Sequence, residues 1–322
     1  MRRHLLHWPH CRMWTEDRRL IINFTKPMRN KAVGFMLLST ILFAFMNVLV
    51  KMLNAIPSYE VVFFRSVISF LISGYLLWKM KVNPFRAKPR WILIGRGVAG
   101  SLSLMVFFYT LQHLPLATSV TLAYLSPIFT ILFASFLLKE SINWKQWLFF
   151  LVSFIGILMI NGIKKDESTG LIFLGLTGAA FSGLAYNALR SSAAFVPAMV
   201  MVFYLPLMTI PMVSPFCIAN FVMPKGIEWF YLFGMGLVTQ FAQLYMTKAY
   251  QMEKAGSIAN YSYLGIVYAL FFGWAVFHEH YNLIAIIGMI TVVAGILLNF
   301  LYVNRVTSAK RFMAYFRGFP GI

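Results

Sequence analysis

Acidic residues are scarce in this chain of 322 residues, which has nine Asp and Glu against 28 Lys and Arg. Only 11% of its residues are charged and 60% are hydrophobic, whereas about 25% of the residues in an average soluble domain are charged. So much apolar surface cannot be buried in one water-soluble core, and lipid must be the main solvent. A soluble enzyme is therefore excluded.

Cysteine and the common catalytic motifs are also scarce or missing. The two cysteines, Cys11 and Cys217, cannot form a disulfide framework. The chain has no phosphate-binding loop with Gly-Lys-Ser/Thr, which disfavours ATP-driven transport, and it has no G-x-S-x-G or H-E-x-x-H motif. We therefore expect neither enzymatic activity nor a cofactor or metal site.

What the chain does contain is a series of ten apolar stretches, each close to the roughly 20 residues that a membrane helix needs. The predicted spans are residues 32–52, 59–80, 90–111, 116–138, 143–163, 170–190, 196–218, 229–251, 256–277 and 281–302. Four prolines interrupt the seventh span, and a membrane helix tolerates proline where its neighbours satisfy the freed carbonyls. The sequence thus predicts an all-α integral membrane protein.

The distribution of basic residues predicts the orientation, because Lys and Arg accumulate in cytoplasmic loops. With the N-terminus in the cytoplasm, only Lys164, Lys165 and Lys225 fall on the opposite side. Both termini are therefore expected to be cytoplasmic, as basic tails at residues 1–31 and 304–322. The first tail has no apolar run long enough for a cleaved signal peptide. The excess of positive charge marks topology and does not indicate nucleic-acid binding.

The chain also matches itself at an offset of 139 residues. Matches between polar residues carry the most weight, because apolar residues match often by chance. These matches are Glu140 with Glu279, Asn143 with Asn282, Gln112 with Gln251, and Lys51 with Arg190. Each copy (residues 32–163 and 170–303) holds five spans, so the second copy enters the membrane from the opposite side. Many secondary transporters are inverted repeats of this kind, with the substrate bound between the repeats near the middle of the membrane.

Short motifs accompany the repeat. The first copy has Leu-Pro-Leu-Ala at 114–117, Tyr-Leu-Ser-Pro at 124–127 and Leu-Lys-Glu at 138–140; the second has Tyr-Leu-Gly at 263–265, His-Glu at 278–279 and Gly-Ile-Leu at 295–297. Residues 32–303 thereby resemble the EamA-type members of the drug/metabolite transporter superfamily. The resemblance implies a transporter of ten helices and does not specify its substrate. Pro127 has no counterpart, because Ile266 stands at that position in the second copy.

Arg65 is the main candidate for binding a substrate. It lies about six residues, or ~9 Å, inside the second span. A charge at the centre of the bilayer costs roughly 2.5–3.5 kcal/mol, so the side chain should face a cavity. Glu60, five residues earlier, is poorly placed to pair with it. Two alternatives to anion binding are snorkelling to the outer surface and bonding to carbonyl groups. Three further basic residues within spans are expected at the membrane interfaces, namely Lys51, Arg96 and Lys248.

Other polar and aromatic side chains within the spans are candidates for the wall of a substrate cavity. For the amides the alternative is hydrogen bonding between helices, and for the aromatic rings it is ordinary packing. The candidates are Asn47, Tyr124, Asn187, Tyr204, Gln240, Gln243, Tyr263 and Trp274.

Several residues are expected to have structural roles. Residues 95–100 match G-x-G-x-x-G, but they lie inside a span, so the pattern predicts close helix packing at Gly97, and equally at Gly236. Glu140 and Glu279 end the fourth and ninth spans, where we expect them to clamp neighbouring N–H groups. Neither lies deep in the bundle, so proton coupling lacks a candidate residue and facilitated diffusion or exchange is favoured.

The sequence therefore predicts a multi-pass protein of the bacterial inner membrane, with the lipid bilayer and a small molecule as its partners. We expect a secondary transporter of a small organic metabolite, anionic or zwitterionic because of the uncompensated positive charge within the spans. The expected mechanism is alternating access between the two repeats. The alternatives are a membrane-embedded enzyme, and a channel or sensor, which would not require an inverted repeat.

Overall fold

A computed structural model describes residues 26–138, 144–161, 168–192, 195–252 and 261–317. These residues form α-helices joined by short loops, with one 3-10 turn at Pro84–Arg86 and no strand among them. The helices are α1 (Lys26–Met52), α2 (Ser58–Lys79), α3 (Arg90–His113), α4 (Leu116–Ala123), α5 (Ser126–Leu138), α6 (Trp144–Asn161), α7 (Ser168–Ser192), α8 (Ala198–Ala219), α9 (Glu228–Met252), α10 (Leu264–Phe277) and α11 (Leu283–Arg317).

Six stretches of helix in the described residues are long and apolar enough to cross a membrane. They are Lys31–Met52, Ser58–Lys79, Arg90–His113, Leu116–Phe133, Thr169–Leu189 and Ala198–Ala219. Shorter apolar helical stretches cover Trp147–Ile157, Leu264–Phe277 and Leu283–Leu298. The prediction of an all-helical membrane protein is thereby confirmed.

The predicted fourth span is not one continuous helix. It breaks at Tyr124 and Leu125, which separate α4 from α5. Pro127 lies in the first turn of α5, where the N–H that proline lacks would have no partner within the helix. The polypeptide therefore passes this point as two short half-helices.

The predicted seventh span, by contrast, is continuous in spite of its prolines. Helix α8 runs without interruption from Ala198 to Ala219 and contains Pro206, Pro211 and Pro215. At the C-terminus, α11 continues to Arg317, so much of the basic tail expected from residue 304 onward extends this helix.

Helices α6 and α11 pack antiparallel through a contact that is made twice. A Cβ atom on Gly156 would lie 2.8 Å from the backbone N of Val292, and one on Gly295 would lie 2.9 Å from the backbone N of Ser153. Gly295 follows Gly156 by 139 residues, and Val292 follows Ser153 by the same offset. Small residues allow this close approach, and the two contacts are related by an approximate two-fold axis.

The matched glutamines make equivalent hydrogen bonds. The Nε2 of Gln112 donates to the carbonyl of Leu53 at 2.9 Å and to that of Ile56 at 3.0 Å. The Nε2 of Gln251 donates to the carbonyl of Val196 at 2.9 Å. Each glutamine therefore holds the loop between the first two helices of one copy.

The two copies are interleaved. Helix α1 packs along α9, just as its counterpart α7 packs along α3, and α2 packs along α8. The largest buried apolar cluster includes residues from eight helices of both copies, among them Val50, Val61, Phe108, Leu232 and Ile266. The core thus lies between the copies, and the polar interior residues are held there.

Candidate functional site

Arg65 is buried inside the bundle, with 3% of its surface exposed. Its guanidinium lies over the ring of Phe108, 5.8 Å from the ring centroid, and its Nε has no hydrogen-bond partner. Glu60 does not pair with it, because the Oε1 of Glu60 accepts a hydrogen bond from the backbone N–H of Val222 at 2.6 Å. The side chain therefore does not snorkel to the surface, and in the described part of the chain its charge is uncompensated.

Two further buried donors without partners lie close to Arg65 in the fold. The hydroxyl of Ser66 has no partner. Ser69, one turn further along α2, donates to the Oε1 of Gln240 on α9, which leaves the Nε2 of Gln240 unpartnered. Each buried donor that lacks a partner lowers the stability of the fold by about 1–3 kcal/mol. A ligand that accepts hydrogen bonds from these donors would recover that free energy.

The two candidate asparagines differ in their surroundings. Asn187 donates from Nδ2 to the carbonyls of Thr130 at 2.9 Å and Gly183 at 3.2 Å, and thereby ties α7 to α5. Asn47 is 7% exposed, and its Oδ1, like that of Asn187, is a buried acceptor without a partner. Asn187 is therefore held by its amide nitrogen, whereas Asn47 lies on the helix next to α9.

Tyr124 and Tyr263 lie in contact at the centre of the molecule. Their ring centroids are 5.6 Å apart, with the rings at 65°. Tyr124 follows α4 at the break in the fourth span, and Tyr263 directly precedes α10. The hydroxyl of Tyr124 contacts the α-carbon region of Gly265, where a side chain would not fit.

Sequence reasoning missed two other tyrosines in this aromatic group. The rings of Tyr186 and Tyr250 are 6.3 Å apart, and both side chains lie near Tyr124 and Tyr263. Tyr186 also lies near Arg96. Neither residue belongs to a motif or matches a tyrosine in the other copy, so no signal in the sequence distinguishes them from packing residues.

Arg96 was expected at a membrane interface, and it is instead buried between helices. It is 4% exposed, and its guanidinium donates to the carbonyl of Met201. Lys248, another basic residue expected at an interface, has its Nζ 5.9 Å from the ring centroid of Phe35.

Two candidate cavity residues are placed or engaged away from Arg65. Trp274 is 62% exposed on the outside of the bundle. Tyr204 is buried, but its hydroxyl donates to the carbonyl of Pro84 at 3.3 Å, beneath the 3-10 turn. The structure therefore does not bring these two residues to the same place as Arg65. Gln243 is partly buried on α9, three residues after Gln240.

Lys51 has a partner that the sequence did not reveal. Its Nζ forms an ion pair with Glu279 and also donates to the carbonyl of Leu114 at 2.8 Å. Glu279 accepts hydrogen bonds from the backbone N–H of Leu116, at 3.0 and 3.1 Å, and from the hydroxyl of Tyr281. Glu140 lies outside the described residues.

Two of the three glycines in the G-x-G-x-x-G pattern, Gly97 and Gly100, pack against α8. A Cβ on Gly97 would lie 2.5 Å from Cγ of Met208 and 2.8 Å from the carbonyl oxygen of Tyr204, both on α8. A Cβ on Gly236 would lie 2.6 Å from the Cδ1 of Ile68 on α2. Gly97 and Gly236 allow equivalent close crossings, α3 on α8 and α9 on α2.

Two pockets among the described residues lie on the flanks of the bundle. One, of about 250 Å³, is lined by residues such as Tyr59, Tyr109 and Phe216. The other, of about 410 Å³, lies between α1 and α10. Neither is lined by Arg65 or by the central tyrosines. No group of three His, Cys, Asp or Glu residues in the described part of the chain could hold a metal ion.

A bundle of apolar helices, made of two interleaved copies around buried polar groups, defines a multi-pass membrane transporter. The EamA-like transporter family matches the chain twice, at residues 30–162 and 169–301. The chain belongs to this family, as its motifs indicated, and hence to the drug/metabolite transporter superfamily.

Two relatives of this chain are named as transporters of small molecules. The chain is 33% identical over 261 residues to the pseudopaline exporter of Pseudomonas aeruginosa, covering 80% of this chain and 92% of the relative. It is 25% identical over 250 residues to the S-adenosylmethionine uptake transporter of Rickettsia prowazekii, covering 77% and 84%. A solved crystal structure shares the fold, with a TM-score of 0.63 at 18% identity over 86% of this chain and 99% of that one.

These findings confirm that the protein is a small-molecule transporter and not an enzyme. They also confirm a multi-pass membrane protein.

Proposed function

We propose that this protein is a secondary transporter that carries a small anionic or zwitterionic organic metabolite by alternating access. In this proposal ten spans form two inverted five-helix repeats, residues 32–163 and 170–303, and the basic tails 1–31 and 304–322 lie in the cytoplasm. The substrate binds between the repeats, where Arg65 and the central tyrosines lie.

The observation that carries the proposal is the buried, uncompensated guanidinium of Arg65. Removal of one partner from a buried ion pair costs about 3–5 kcal/mol, because the remaining charge is left without compensation. Arg65 is in that condition, since its Nε has no partner and no carboxylate pairs with it among the described residues. A carboxylate or phosphate of the substrate would supply the missing charge, and guanidinium binds such groups through paired hydrogen bonds.

The neighbouring unpartnered groups support the same class of substrate. Ser66 and the Nε2 of Gln240 offer further donors to an anionic group. The Oδ1 of Asn47 offers an acceptor, which suits an ammonium or N–H group. Donors together with an acceptor fit a zwitterion as well as a simple anion.

The paths of α1, α3, α7 and α9 support the inverted arrangement. Ser39 on α1 donates to the carbonyl of Ala242 on α9 at 2.8 Å, and Leu49, further along α1, lies against Gly234, which comes earlier in α9. Ser103 on α3 bonds to Ser182 on α7 at 2.5 Å, and Val106 lies against Gly178. Both pairs of helices therefore run antiparallel, as spans of opposite direction must.

Exchange or facilitated diffusion is the proposed mode of transport. Of the acidic residues in the described part of the bundle, Glu279 is paired with Lys51. Glu60 lies in the first turn of α2, at the end of a span; its Oε1 accepts from the backbone N–H of Val222, and its Oε2 has no partner. The relatives include one protein named an exporter and one named an uptake transporter, so the direction of transport varies among them.

Uptake into proteoliposomes tests the proposal. Purified protein is reconstituted, and counterflow is measured with labelled dicarboxylates, amino acids and nucleotides. We expect saturable uptake of at least one of them, which the unlabelled compound inhibits. Folded protein that gives no saturable flux with any member of the panel would overturn the carrier function, and flux that rises without saturation would favour a channel.

A further inference from the structure

The ion pair of Lys51 and Glu279 lies at one end of the bundle and joins the two repeats. Lys51 ends α1, and the turn of Leu114 and Leu116 connects α3 to α4, all in the first repeat. Glu279 and Tyr281 lie in the loop between α10 and α11 of the second repeat. We call these five residues the latch. Most of its hydrogen bonds cross from one repeat to the other.

The ion pair and hydrogen bonds of the latch are strong while water is excluded, and water can replace them once it enters. The side chains of Lys51 and Glu279 are 16% and 13% exposed, so both are largely shielded from solvent. Glu279 also receives the N–H of Leu116, the first residue of α4, where the helix dipole favours a negative charge. Each of these groups is hydrated readily, so water entering this end of the bundle could take over their hydrogen bonds.

Helix α4 connects the latch to the centre of the molecule. It runs from Leu116 to Ala123 and is followed directly by Tyr124. Eight residues of helix span about 12 Å. Tyr124 contacts Tyr263 and Gly265 of the second repeat. Movement of α4 at the latch would therefore be transmitted to the central tyrosines.

The same pair of charges recurs in the other half of the sequence. At the offset of 139 residues, Lys51 corresponds to Arg190 and Glu279 to Glu140. Both copies thus have a cation at the end of the first span and an anion at the end of the fourth, although acids are rare in this chain. In the proposed inverted repeat these positions face opposite sides of the membrane.

We propose that Lys51 and Glu279 are positioning residues that form a releasable gate over the outer end of the substrate path. The gate is closed in the conformation described above and opens when the carrier faces outward. This inference rests on the proposed alternating access, since a protein with one static conformation would use the same contacts only as a brace.

Accessibility of a residue beneath the latch tests the gate. Thr118, in α4, is 7% exposed. Thr118→Cys is introduced with Cys11→Ser and Cys217→Ser, and right-side-out vesicles are treated with a membrane-impermeant maleimide. We expect Lys51→Met or Glu279→Gln to raise the labelling rate about tenfold, which corresponds to a shift of about 1.4 kcal/mol in the gating equilibrium.

Matched variants separate a gate from a brace. Lys51→Arg keeps the charge and the donor to the Leu114 carbonyl, so it should label like the parent. Lys225→Met removes an exposed lysine and should change nothing. If both single neutral variants lower the melting temperature without changing the labelling rate, the pair is a brace and the gate is refuted.

The labelling experiment requires no substrate. A failure of every compound in the uptake panel would therefore count against the carrier and leave the gating result to stand by itself. Saturable flux with unchanged labelling of the neutral variants would keep the carrier and overturn the gate.

Discussion

Tyr124 and Tyr263 contact each other with ring centroids 5.6 Å apart, and each is the counterpart of the other at the 139-residue offset. A residue can touch its own counterpart only close to the axis that relates the two copies. Ser153 and Val292, also counterparts, meet through a hydrogen bond of 3.4 Å from the Ser153 hydroxyl to the Val292 carbonyl. These two contacts define the approximate two-fold axis and place the tyrosine pair at the centre of the proposed carrier.

Replacement of Arg65 should separate function from stability. We expect Arg65→Met to lower kcat/KM for an anionic substrate by at least about 10-fold, because the positive charge that it removes is needed for binding. The melting temperature in detergent should stay equal or rise, since an uncompensated buried charge is removed. Counterflow and thermal unfolding measure the two effects.

Two controls accompany the Arg65 variant. Arg65→Lys keeps the charge but loses the planar fork, so it should retain partial activity. Arg86→Met removes an exposed arginine and should leave flux unchanged. Unchanged flux and KM in Arg65→Met would show that Arg65 does not bind the substrate.

The glycines at the helix crossings should be sensitive to a single methyl group. Gly97→Ala would bring Cβ to 2.8 Å from the backbone oxygen of Tyr204, and Gly236→Ala would bring it to 2.6 Å from Ile68. Overpacking of this kind costs about 1–3 kcal/mol, so both variants should unfold at lower temperature in detergent.

The chain contains a matched control for each of these glycines. Gly95 has no atom within 4 Å of a Cβ position, and Gly234 has only Leu49 at 3.8 Å. Alanine at either control position should be neutral or slightly stabilising. Equal effects at Gly95 and Gly97 would contradict the proposed packing role.

The central tyrosine should matter for substrate, while the exposed tryptophan should not. Tyr124→Ala removes a ring at the interface of the repeats, so we expect a several-fold rise in KM or a loss of flux. Trp274→Ala changes a side chain that is 62% exposed, and uptake should equal that of the parent. If Trp274→Ala were the more harmful change, the cavity would lie elsewhere.

The membrane topology can be measured with alkaline phosphatase fusions, which are active only outside the cytoplasm. We expect active fusions after Lys165 and Lys225 and inactive ones after Lys81 and Ile322, because basic loops remain in the cytoplasm. An active fusion after Ile322, with a normal expression level, would rule out an even number of spans with cytoplasmic termini.

Local patterns in the sequence were enough to predict the helical class and the family. Runs of apolar residues indicate helices in lipid, since every backbone polar group there must be satisfied within the helix. They did not reveal the break at Tyr124 and Leu125, because an apolar run looks the same whether its helix is continuous or not. The sequence could not predict that α8 continues through three prolines either, since its continuity depends on the neighbouring helices.

The amino-acid sequence by itself determined the membrane environment, the two copies and the scarcity of acids, because composition and self-similarity are properties of the chain alone. Only the tertiary structure decided which residues meet. It paired Lys51 with Glu279 across 228 residues, left Arg65 buried without a carboxylate, added Tyr186 and Tyr250 to the aromatic centre, and placed Trp274 outside. The physical reason is that these contacts depend on how helices from different copies cross. The spacing of residues and the hydrophobic period within one helix do not specify that crossing.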